Sequence, residues 1–514
     1  MDDAKVVVEA PVAVHEDGER KRQVMEEAAR RRGISEEQIL LFRRFDGEGR
    51  EWHGAMKGRL LKKVDAHLLP LLILMYLLNF LDRNNLSQAR LGTLEEDLGM
   101  RGTDFNLATS ILFVGYTLMQ LPSNLLLTRL RPSLYLGFAM TVWGVISTAQ
   151  AATRSFGGLV AARFFLGFAE APFFPGAVFL MSSWYTRAEM AHRIAWFYSG
   201  SPLANAFGGL IGAGILSGLS GAHGISGWRW LFIVEGAITI TVALLSTLIL
   251  PNYPSNTRWL TAEEQAYAQW RLMDDTGEAD LADATSIKEG VKMAFRDPKL
   301  YLFALLQHVS ILSQTFQYFF PTIVATLGYG TIDTLLLTAP AWIATFLISL
   351  VATYTSGRTG DRSRHIIGFM MVSVVGNIIA VSTLNTGARF LAIFLLPIGA
   401  ITAYQVILAW IANSFPRPLV KRSACISFAN LVGNAANIYG SYLYPASDGP
   451  RYLGGGIATA AVALLVAVLA GVVRVVLTRE NRRLAELERE GEVGGERVED
   501  SRRGGVMPGF RYIL

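Results

Sequence analysis

Long apolar stretches constrain this sequence more than any other feature. About twelve of them, each of roughly 20 residues, follow one another along most of the chain. A helix of about 20 residues crosses a hydrocarbon core of about 30 Å, and lipid tolerates only segments whose backbone groups are satisfied internally. We therefore predict an all-α membrane protein with 12 transmembrane helices, at residues 66–84, 104–126, 133–152, 157–181, 191–215, 229–250, 299–321, 333–355, 366–384, 389–411, 423–444 and 453–476.

The composition supports this class of protein and excludes others. Hydrophobic residues make up 51% of the chain and charged residues only 17%, whereas soluble domains are about a quarter charged. The single cysteine, Cys425, excludes an intrachain disulfide and a cysteine-based metal cluster. No basic segment followed by an apolar one precedes Lys63, so we expect the first span to serve as the insertion signal.

A polar segment divides the spans six and six, which indicates an internal duplication of the kind found in many membrane transporters. Within this segment, WLTAEEQAYAQWRLMDD (259–275) predicts an amphipathic helix with a Thr261 cap and Glu264 three residues later. The predicted parts are an N-terminal tail (1–63), a first six-helix bundle (64–250), a central loop (251–298), a second six-helix bundle (299–477) and a C-terminal tail (478–514).

The distribution of basic residues predicts the orientation of the chain. Lys57, Arg59, Lys62 and Lys63 precede the first span, and the excess of arginine and lysine in the short loops lies on the same side. We therefore expect both termini and the central loop to be cytoplasmic. The same rule explains the net charge of +5 better than nucleic-acid binding does.

Among the charged residues of the predicted spans, four stand out in the first and fourth spans, where a charge costs several kcal/mol. Asp82 and Arg83 end the first span, and Arg163 and Glu170 lie seven residues apart on one face of the fourth. Two interpretations remain open. The four residues are structural ion pairs, or the arginines bind an anionic substrate while Asp82 and Glu170 carry protons.

Amide side chains form two further polar faces, one in the eleventh span and one in the seventh. Amides offer donors and acceptors without a charge, as a substrate site needs, and hydrogen bonding between helices is the alternative role. The candidate substrate-binding amides are Asn434 and Asn437, beside Asn430, and Gln314 and Gln317, beside Gln307 and His308. In the sixth span we interpret Arg229 and Glu235 as a structural pair, with a gate as the alternative.

The loop between spans eight and nine, GRTGDRSR (357–364), contains a G-x-x-x-D-R pattern. This pattern places Asp361 at a helix end close to arginines. We therefore predict that Asp361 and Arg362 form a charge clasp that closes the cytoplasmic side in one conformation; a solvated loop is the alternative.

Five phrases of the sequence, taken in order, form a specific combination: NFLDRNN (79–85), RFFLGFAEAPFFPG (163–176), GWRWLFIVEG (227–236), G-x-x-x-D-R after the eighth span and GFRYIL (509–514). Together they resemble the major facilitator superfamily, and in particular the anion:cation symporter group with its fungal allantoate and nicotinate permease branch. The chain departs from the superfamily at NLLLTRLRP (125–132), which lacks the first-half copy of G-x-x-x-D-R, so we expect the clasp to be asymmetric.

The resemblance implies roles for the intramembrane residues. In organic-anion symporters of this group, an Asp-Arg pair in the first helix and an Arg and Glu seven apart in the fourth serve proton coupling and anion binding. These roles map onto Asp82, Arg83, Arg163 and Glu170, and the polar eleventh helix maps onto Asn434 and Asn437. We therefore expect Asp82 and Arg83 to face a central cavity near the outer half of the membrane. The implied partners are a small organic anion, a proton and the lipid bilayer, with no other cofactor, and the implied state is a monomer in the plasma membrane.

Three functions follow in order of preference. The first is proton-coupled import of a small carboxylate such as nicotinate, allantoate or a related vitamin or nitrogen source; the second is export of an acidic metabolite; the third is a nutrient sensor that moves nothing. An enzyme is not expected, because the sequence has no HExxH motif, no nucleophile spaced with a base and no cofactor loop.

Overall fold

The computed structural model describes residues 26–27, 29–30, 34–127, 130–282, 287–415, 419–494 and 511–514, and these residues form helices joined by short connections, without strands. The remaining residues, including the first 25 of the predicted N-terminal tail and positions 509–510 of GFRYIL, lie outside the described part. The all-α prediction is confirmed.

The first half contains ten helices among its described residues. They are α1 (Glu36–Asp46), α2 (Arg50–Ala89), α3 (Leu94–Asp97), α4 (Asp104–Leu127), α5 (Pro132–Gln150), α6 (Phe156–Glu170), α7 (Phe173–Ser182), α8 (Arg187–Tyr198), α9 (Gly200–Gly218) and α10 (Gly227–Ile249). The central segment adds α11 (Ala262–Ala282) and α12 (Ile287–Arg296). The second half contains α13 (Pro298–Leu312), α14 (Phe320–Ala325), α15 (Thr331–Thr359), α16 (Arg362–Ser382), α17 (Thr386–Ser414), α18 (Leu419–Gly440) and α19 (Leu453–Gly494).

Each of the twelve predicted spans falls on helix, and three of them are interrupted. The fourth span is divided between α6 and α7 just before Phe173, the fifth between α8 and α9 at Ser199, and the seventh between α13 and α14 by the 3-10 turn Thr315–Phe319. By length and composition, seven helices of the described chain can each cross a membrane: Arg50–Ala89, Phe156–Ser182, Gly227–Ile249, Thr331–Thr359, Arg362–Ser382, Thr386–Ser414 and Leu453–Arg489. The count of twelve remains a prediction, as do the domain boundaries.

The helix packing repeats between the two halves. The pairs α5–α10, α4–α6 and α2–α9 of the first half recur, six spans later, as α16–α19, α15–α17 and α13–α18. The halves meet through α4 against α18 and α9 against α15. When every span is replaced by the one six positions away, each of these two contacts becomes the other. This symmetry supports the internal duplication predicted from the hydropathy pattern.

Glycine allows α4 and α6 to pack with their backbones in contact. A Cβ atom at Gly167 of α6 would overlap the carbonyl oxygen of Leu112, and one at Gly115 of α4 would overlap the carbonyl oxygen of Phe164. Small residues permit this close approach within membranes, where van der Waals packing drives helix association. The contact fixes α6, and therefore its charged residues, against α4.

Charged residues of α2, α8 and α11 form a polar network at the end of the first half that lies on the same side as the termini. The predicted amphipathic helix is confirmed as α11, with a reciprocal cap in which Glu264 N donates to Thr261 Oγ1 (3.2 Å) and Thr261 N donates to Glu264 Oε2 (3.0 Å). Glu189 accepts from Arg271 of α11 at 2.9 Å and pairs with Lys57 of α2 at 3.0 Å. Burial opposes ionisation of Glu189, but these two cations outweigh it and lower its pKa.

We predict that Gly167→Ala disrupts the contact between α4 and α6. The added methyl group meets a backbone carbonyl that no side-chain rotation can move, and overpacking of this kind lowers the free energy of unfolding by about 1–3 kcal/mol. Gly214→Ala is the matched control, because nothing lies within 4 Å of its Cβ position. Thermal unfolding of the purified variants in detergent measures the difference, and equal midpoints would contradict the packing.

We predict that Glu189→Gln destabilises the protein at neutral pH by about 3–5 kcal/mol, the range for removing one partner of a buried ion pair. Because the folded pKa is lowered, the wild-type advantage is complete above the ordinary glutamate pKa and disappears as the pH falls through the folded value. Midpoints measured along a pH series test this sign.

The control for this prediction is Glu263→Gln. Glu263 pairs with Arg44, and both side chains are about half exposed (43% for Glu263 and 55% for Arg44). An exposed pair contributes about 0–1 kcal/mol. A variant of Glu189 as stable as the Glu263 control at neutral pH would show that the network does not hold α11.

Candidate functional site

A cavity lies between the two halves, and its wall is aromatic and amide-rich. Its lining atoms surround about 740 Å³ of space, part of it open to solvent, of which about 80 Å³ admits the centre of a water molecule. Ligand sites of transporters lie at such an interface between repeats. The polar and aromatic lining residues are Tyr76, Asn79, Phe80, Arg83, Tyr116, Phe174, Tyr198, Ser201, Gln314, Gln317, Tyr318, Tyr404, Gln405, Asn430, Asn434 and Asn437.

Arg83 of α2 is the one charged residue among the described residues that line this cavity. Its Nη2 and Nε atoms both donate to Oε2 of Glu170, at 2.7 and 3.0 Å. The rings of Phe80, Phe113 and Tyr116 surround the guanidinium at 5.3–5.5 Å. The arginine is thus held by one carboxylate and three aromatic faces while its edge remains on the cavity wall.

Glu170 of α6 stands behind Arg83 and is fully buried. Its second oxygen, Oε1, has no hydrogen-bond partner within the described chain. An ion pair in a low-dielectric interior depends on both charges. Protonation of Glu170 would therefore weaken its hold on Arg83 and leave the guanidinium available to another anion.

Arg163 does not reach the cavity wall, although the sequence predicted a substrate-binding role. Its Nη2 atom donates to the carbonyl of Arg83 (3.1 Å) and its Nε atom to the carbonyl of Ala108 (3.3 Å), so it connects α6 with α2 and α4. The predicted common face is confirmed, because Arg163 and Glu170 are both buried and directed toward α2.

The structure corrects the expectation that Asp82 faces the cavity beside Arg83. Successive residues of a helix point about 100° apart, so the carboxylate of Asp82 is directed into the first half. There Asp82 accepts hydrogen bonds from Ser147 Oγ (2.7 Å), Trp143 Nε1 (3.2 Å) and Thr239 Oγ1 (2.7 Å). The two adjacent opposite charges therefore belong to separate sites.

The four predicted substrate-binding amides, Gln314, Gln317, Asn434 and Asn437, all line the cavity. The amide of Asn434 donates to Asn430 Oδ1 at 3.1 Å, and that of Gln314 donates to the carbonyl of Ser310 at 2.9 Å. Gln317 Oε1 and Asn437 Oδ1 are buried acceptors without a partner in the described ranges. The second half thus presents neutral donors and acceptors opposite Arg83.

Sequence reasoning missed Asn79, Tyr116, Tyr318 and Tyr404, which line the cavity. Single aromatic or polar residues in apolar spans look like packed core, and their spacing carries no signal. For Asn79 the one available signal was its position one helical turn before Arg83.

Asp361 and Arg362 lie at the end nearest the termini, outside the cavity lining. Asp361 caps α16 by accepting from Arg364 N (3.1 Å), as the pattern predicted, and pairs with Arg474 of α19 at 2.8 Å. Burial opposes ionisation of Asp361, but the Arg364 amide and Arg474 lower its pKa overall. Arg362 donates to Ser356 Oγ at 3.1 Å. These contacts stay within the second half, and the gating role remains a prediction.

The proposed pair between Arg229 and Glu235 is wrong. Arg229 donates to the carbonyl of Ala151 and lies over the ring of Trp228 at 4.3 Å. Neither carboxylate oxygen of Glu235 has a hydrogen-bond partner among the described residues. Six residues along a helix turn the two side chains about 120° apart, onto different faces, since one turn takes 3.6 residues.

At the end opposite the termini, direct contacts between the halves close the cavity. Asn106 Nδ2 donates to the carbonyl of Ser441 (2.6 Å), Thr331 Oγ1 donates to the carbonyl of Leu91 (3.3 Å), and the rings of Phe105 and Phe319 meet at 5.6 Å. Nearer to Arg83, Phe113 and Tyr318 pack at 5.4 Å.

We predict that Arg163→Lys lowers stability, because an ammonium on a flexible stem cannot reproduce a guanidinium that binds carbonyls on two helices. Loss of one such charged hydrogen bond lowers the free energy of unfolding by about 1.5–3 kcal/mol. Thermal unfolding measures the change, and the exposed Arg154→Lys serves as control. An unchanged midpoint would contradict the connecting role.

Comparison with known proteins identifies the family. The family model described as Major Facilitator Superfamily matches residues 72–441. The chain is 35% identical over 482 residues to the MFS-type transporter cnsO of Penicillium expansum, covering 90% of this chain and 91% of that protein. It is also 35% identical over 408 residues to the major facilitator-type transporter hxnP of Emericella nidulans, covering 78% of this chain and 81% of that protein.

Solved structures show the same fold. A bacterial homologue of the human lysosomal transporter Spinster, in an inward-facing and occupied conformation, matches with a TM-score of 0.59 at 15% identity, over 80% of this chain and 96% of that one. The proton:xylose symporter XylE matches with a TM-score of 0.59 at 14% identity, over 79% of this chain and 95% of that one. The chain therefore belongs to the major facilitator superfamily and is a multi-pass membrane transporter rather than an enzyme.

Proposed function

We propose that this transporter is a proton-coupled symporter of the anion:cation symporter group that imports a small organic anion. The observation that carries the proposal is the arrangement of Arg83, a cavity-lining cation whose guanidinium is held by one buried carboxylate, Glu170. An arginine binds carboxylates through parallel hydrogen bonds. A titratable acid directly behind it makes anion binding dependent on protons.

The coupling step is a competition for Arg83. In the pair as it stands, two N–H groups of Arg83 donate to one oxygen of Glu170. When Glu170 takes up a proton, the carboxylate becomes a neutral acid and the guanidinium turns its donors to the carboxylate of the substrate. When substrate and proton leave on the other side of the membrane, Glu170 is ionised again and the original pair forms.

The rest of the cavity favours a small planar or amide-bearing carboxylate. Tyr116, Tyr318 and Tyr404 offer ring faces, on which a flat ring such as that of nicotinate stacks. Gln317 and Asn437 each present an unpartnered acceptor to a ureido or amide N–H, as in allantoate. The cargo class is therefore a small carboxylate used as a vitamin or nitrogen source.

The transport cycle proposed here is alternating access by rocking of the two halves. In the proposed cycle both termini lie in the cytoplasm, and the contacts of Asn106 and Thr331 therefore close the cavity on the outer side. Asp361 and Arg362 then lie on the cytoplasmic side, where the pair between Asp361 and Arg474 ties α16 to α19 during the motion of the second half. The protein acts as a monomer in the plasma membrane.

We predict that uptake of one labelled carboxylate is faster at pH 5 than at pH 7.5 and is abolished by a protonophore. The experiment uses cells that lack their own organic-anion permeases and a panel including nicotinate and allantoate. Uptake that ignores the proton gradient would contradict the coupling. Loss of a preloaded carboxylate without any uptake would establish export of an acidic metabolite, and transport in neither direction would favour a sensor.

We predict that Arg83→Gln abolishes this uptake while the protein remains at the cell surface, because a neutral amide cannot balance the substrate's charge. Arg154→Gln, at an exposed position, is the matched control and should transport normally. Glu170→Gln should bind substrate but lose the acceleration at pH 5. Normal uptake by Arg83→Gln would refute the assignment of the anion site.

A further inference from the structure

The first half contains a pair of buried carboxylates, Asp82 and Glu235, separate from the ion pair between Arg83 and Glu170. Glu235 of α10 is 1% exposed, and neither of its oxygens has a hydrogen-bond partner in the described part of the chain. The groups that face it are the carboxylate of Asp82 and the amide of Asn85, both on α2. Both polar atoms of Asn85 are likewise buried and unpartnered.

Helix geometry places the two carboxylates side by side. Thr239 donates to Asp82 at 2.7 Å, and Glu235 precedes Thr239 by one helical turn on the same face of α10. Asn85 follows Asp82 by nearly one turn on α2. Because α2 and α10 run in opposite directions, Glu235 lies level with Asn85 and about one turn, or ~5 Å, from Asp82.

The surroundings decide which of the two acids carries the charge. Asp82 accepts three hydrogen bonds from Ser147, Trp143 and Thr239, which stabilises its ionised form. Glu235 faces only one donor, the amide of Asn85, and no cation acts on it within the described residues. A buried carboxylate without a partner is far more stable with a proton than without one.

Two carboxylates so close in a low dielectric cannot both be charged, and one proton is shared by the pair. The pair is connected to the cavity through α2, because Asp82 precedes Arg83 directly. A shift of α2 when Arg83 exchanges Glu170 for a substrate changes the three donors to Asp82. The affinity of Glu235 for its proton changes as a result.

We propose that Glu235, together with Asp82, is a second proton-binding site of this transporter, located away from the substrate cavity. The inference rests on the proposed proton-coupled function and adds a site to it. In each cycle an O–H bond forms on Glu235 with a proton from the outer solution, and it breaks when that proton leaves to the inner solution. Neither step consumes another reactant.

Infrared spectroscopy of the purified protein tests the site without any substrate. The C=O stretch of a protonated carboxylic acid is read as the pH is raised from 5 to 9. We expect the wild type to show a component of this band that disappears with rising pH and is missing from Glu235→Gln, whereas the component from Glu170 remains. Glu263→Gln, which alters a partly exposed carboxylate outside the spans, should keep both components.

A second variant covers the case in which Glu235→Gln does not fold. Glu235→Asp keeps the acid and should restore the band with a displaced midpoint. A pH-dependent band of equal amplitude in the wild type and in Glu235→Gln would overturn the proposal, because Glu235 would then not contribute to it. A Glu235 component that does not change between pH 5 and 9 would also overturn it, since a permanently protonated residue is only structural.

Transport measurements separate this proposal from the proposed function. In proteoliposomes with the carboxylate that the wild type takes up, Glu235→Gln should exchange external for internal substrate at the wild-type rate but lose at least tenfold in proton-driven accumulation. If the wild type shows no proton-driven accumulation, the proposed function fails. If the wild type accumulates substrate and Glu235→Gln does so equally, only the second site fails.

Discussion

The ion pair between Arg83 and Glu170 is the interaction on which the rest of the structure depends. Both groups are removed from water, and each alone would carry an uncompensated charge in the low-dielectric interior. The pair requires α2 and α6 to lie at a fixed distance, which Arg163 maintains by donating to carbonyls of α2 and α4. The glycine contact between α4 and α6 completes this three-helix arrangement.

The two halves repeat one architecture but divide the chemistry. Arg83, Glu170, Arg163, Asp82 and Glu235 all belong to the first half. Across the cavity the second half presents amides and tyrosines, which bind without a net charge. One half is therefore suited to charge balance and proton handling, while the other is suited to recognising the neutral part of a substrate.

The two ends of the bundle also differ in the charge of the residues that make their contacts. At the end opposite the termini, few and mainly neutral contacts join the halves, as between Asn106 and Ser441. Toward the termini, charged pairs join helices of one half to each other, as between Asp361 and Arg474, or to the central segment, as between Glu189 and Arg271. Such an arrangement suits the proposed rocking of the two halves, in which motion is concentrated at the interface that contains the cavity.

The sequence by itself determined the membrane class, the cap of α11 and the residues whose charges demand an explanation. These are local properties: hydropathy, helical period and capping depend on neighbours along the chain. Only the tertiary structure decided that Arg83 faces the cavity while Asp82 faces away, that Arg163 holds backbone carbonyls, and that Glu235 meets Asp82 rather than Arg229. The direction and partner of a side chain depend on which helices pack around it, and that packing is set by contacts far apart in the sequence.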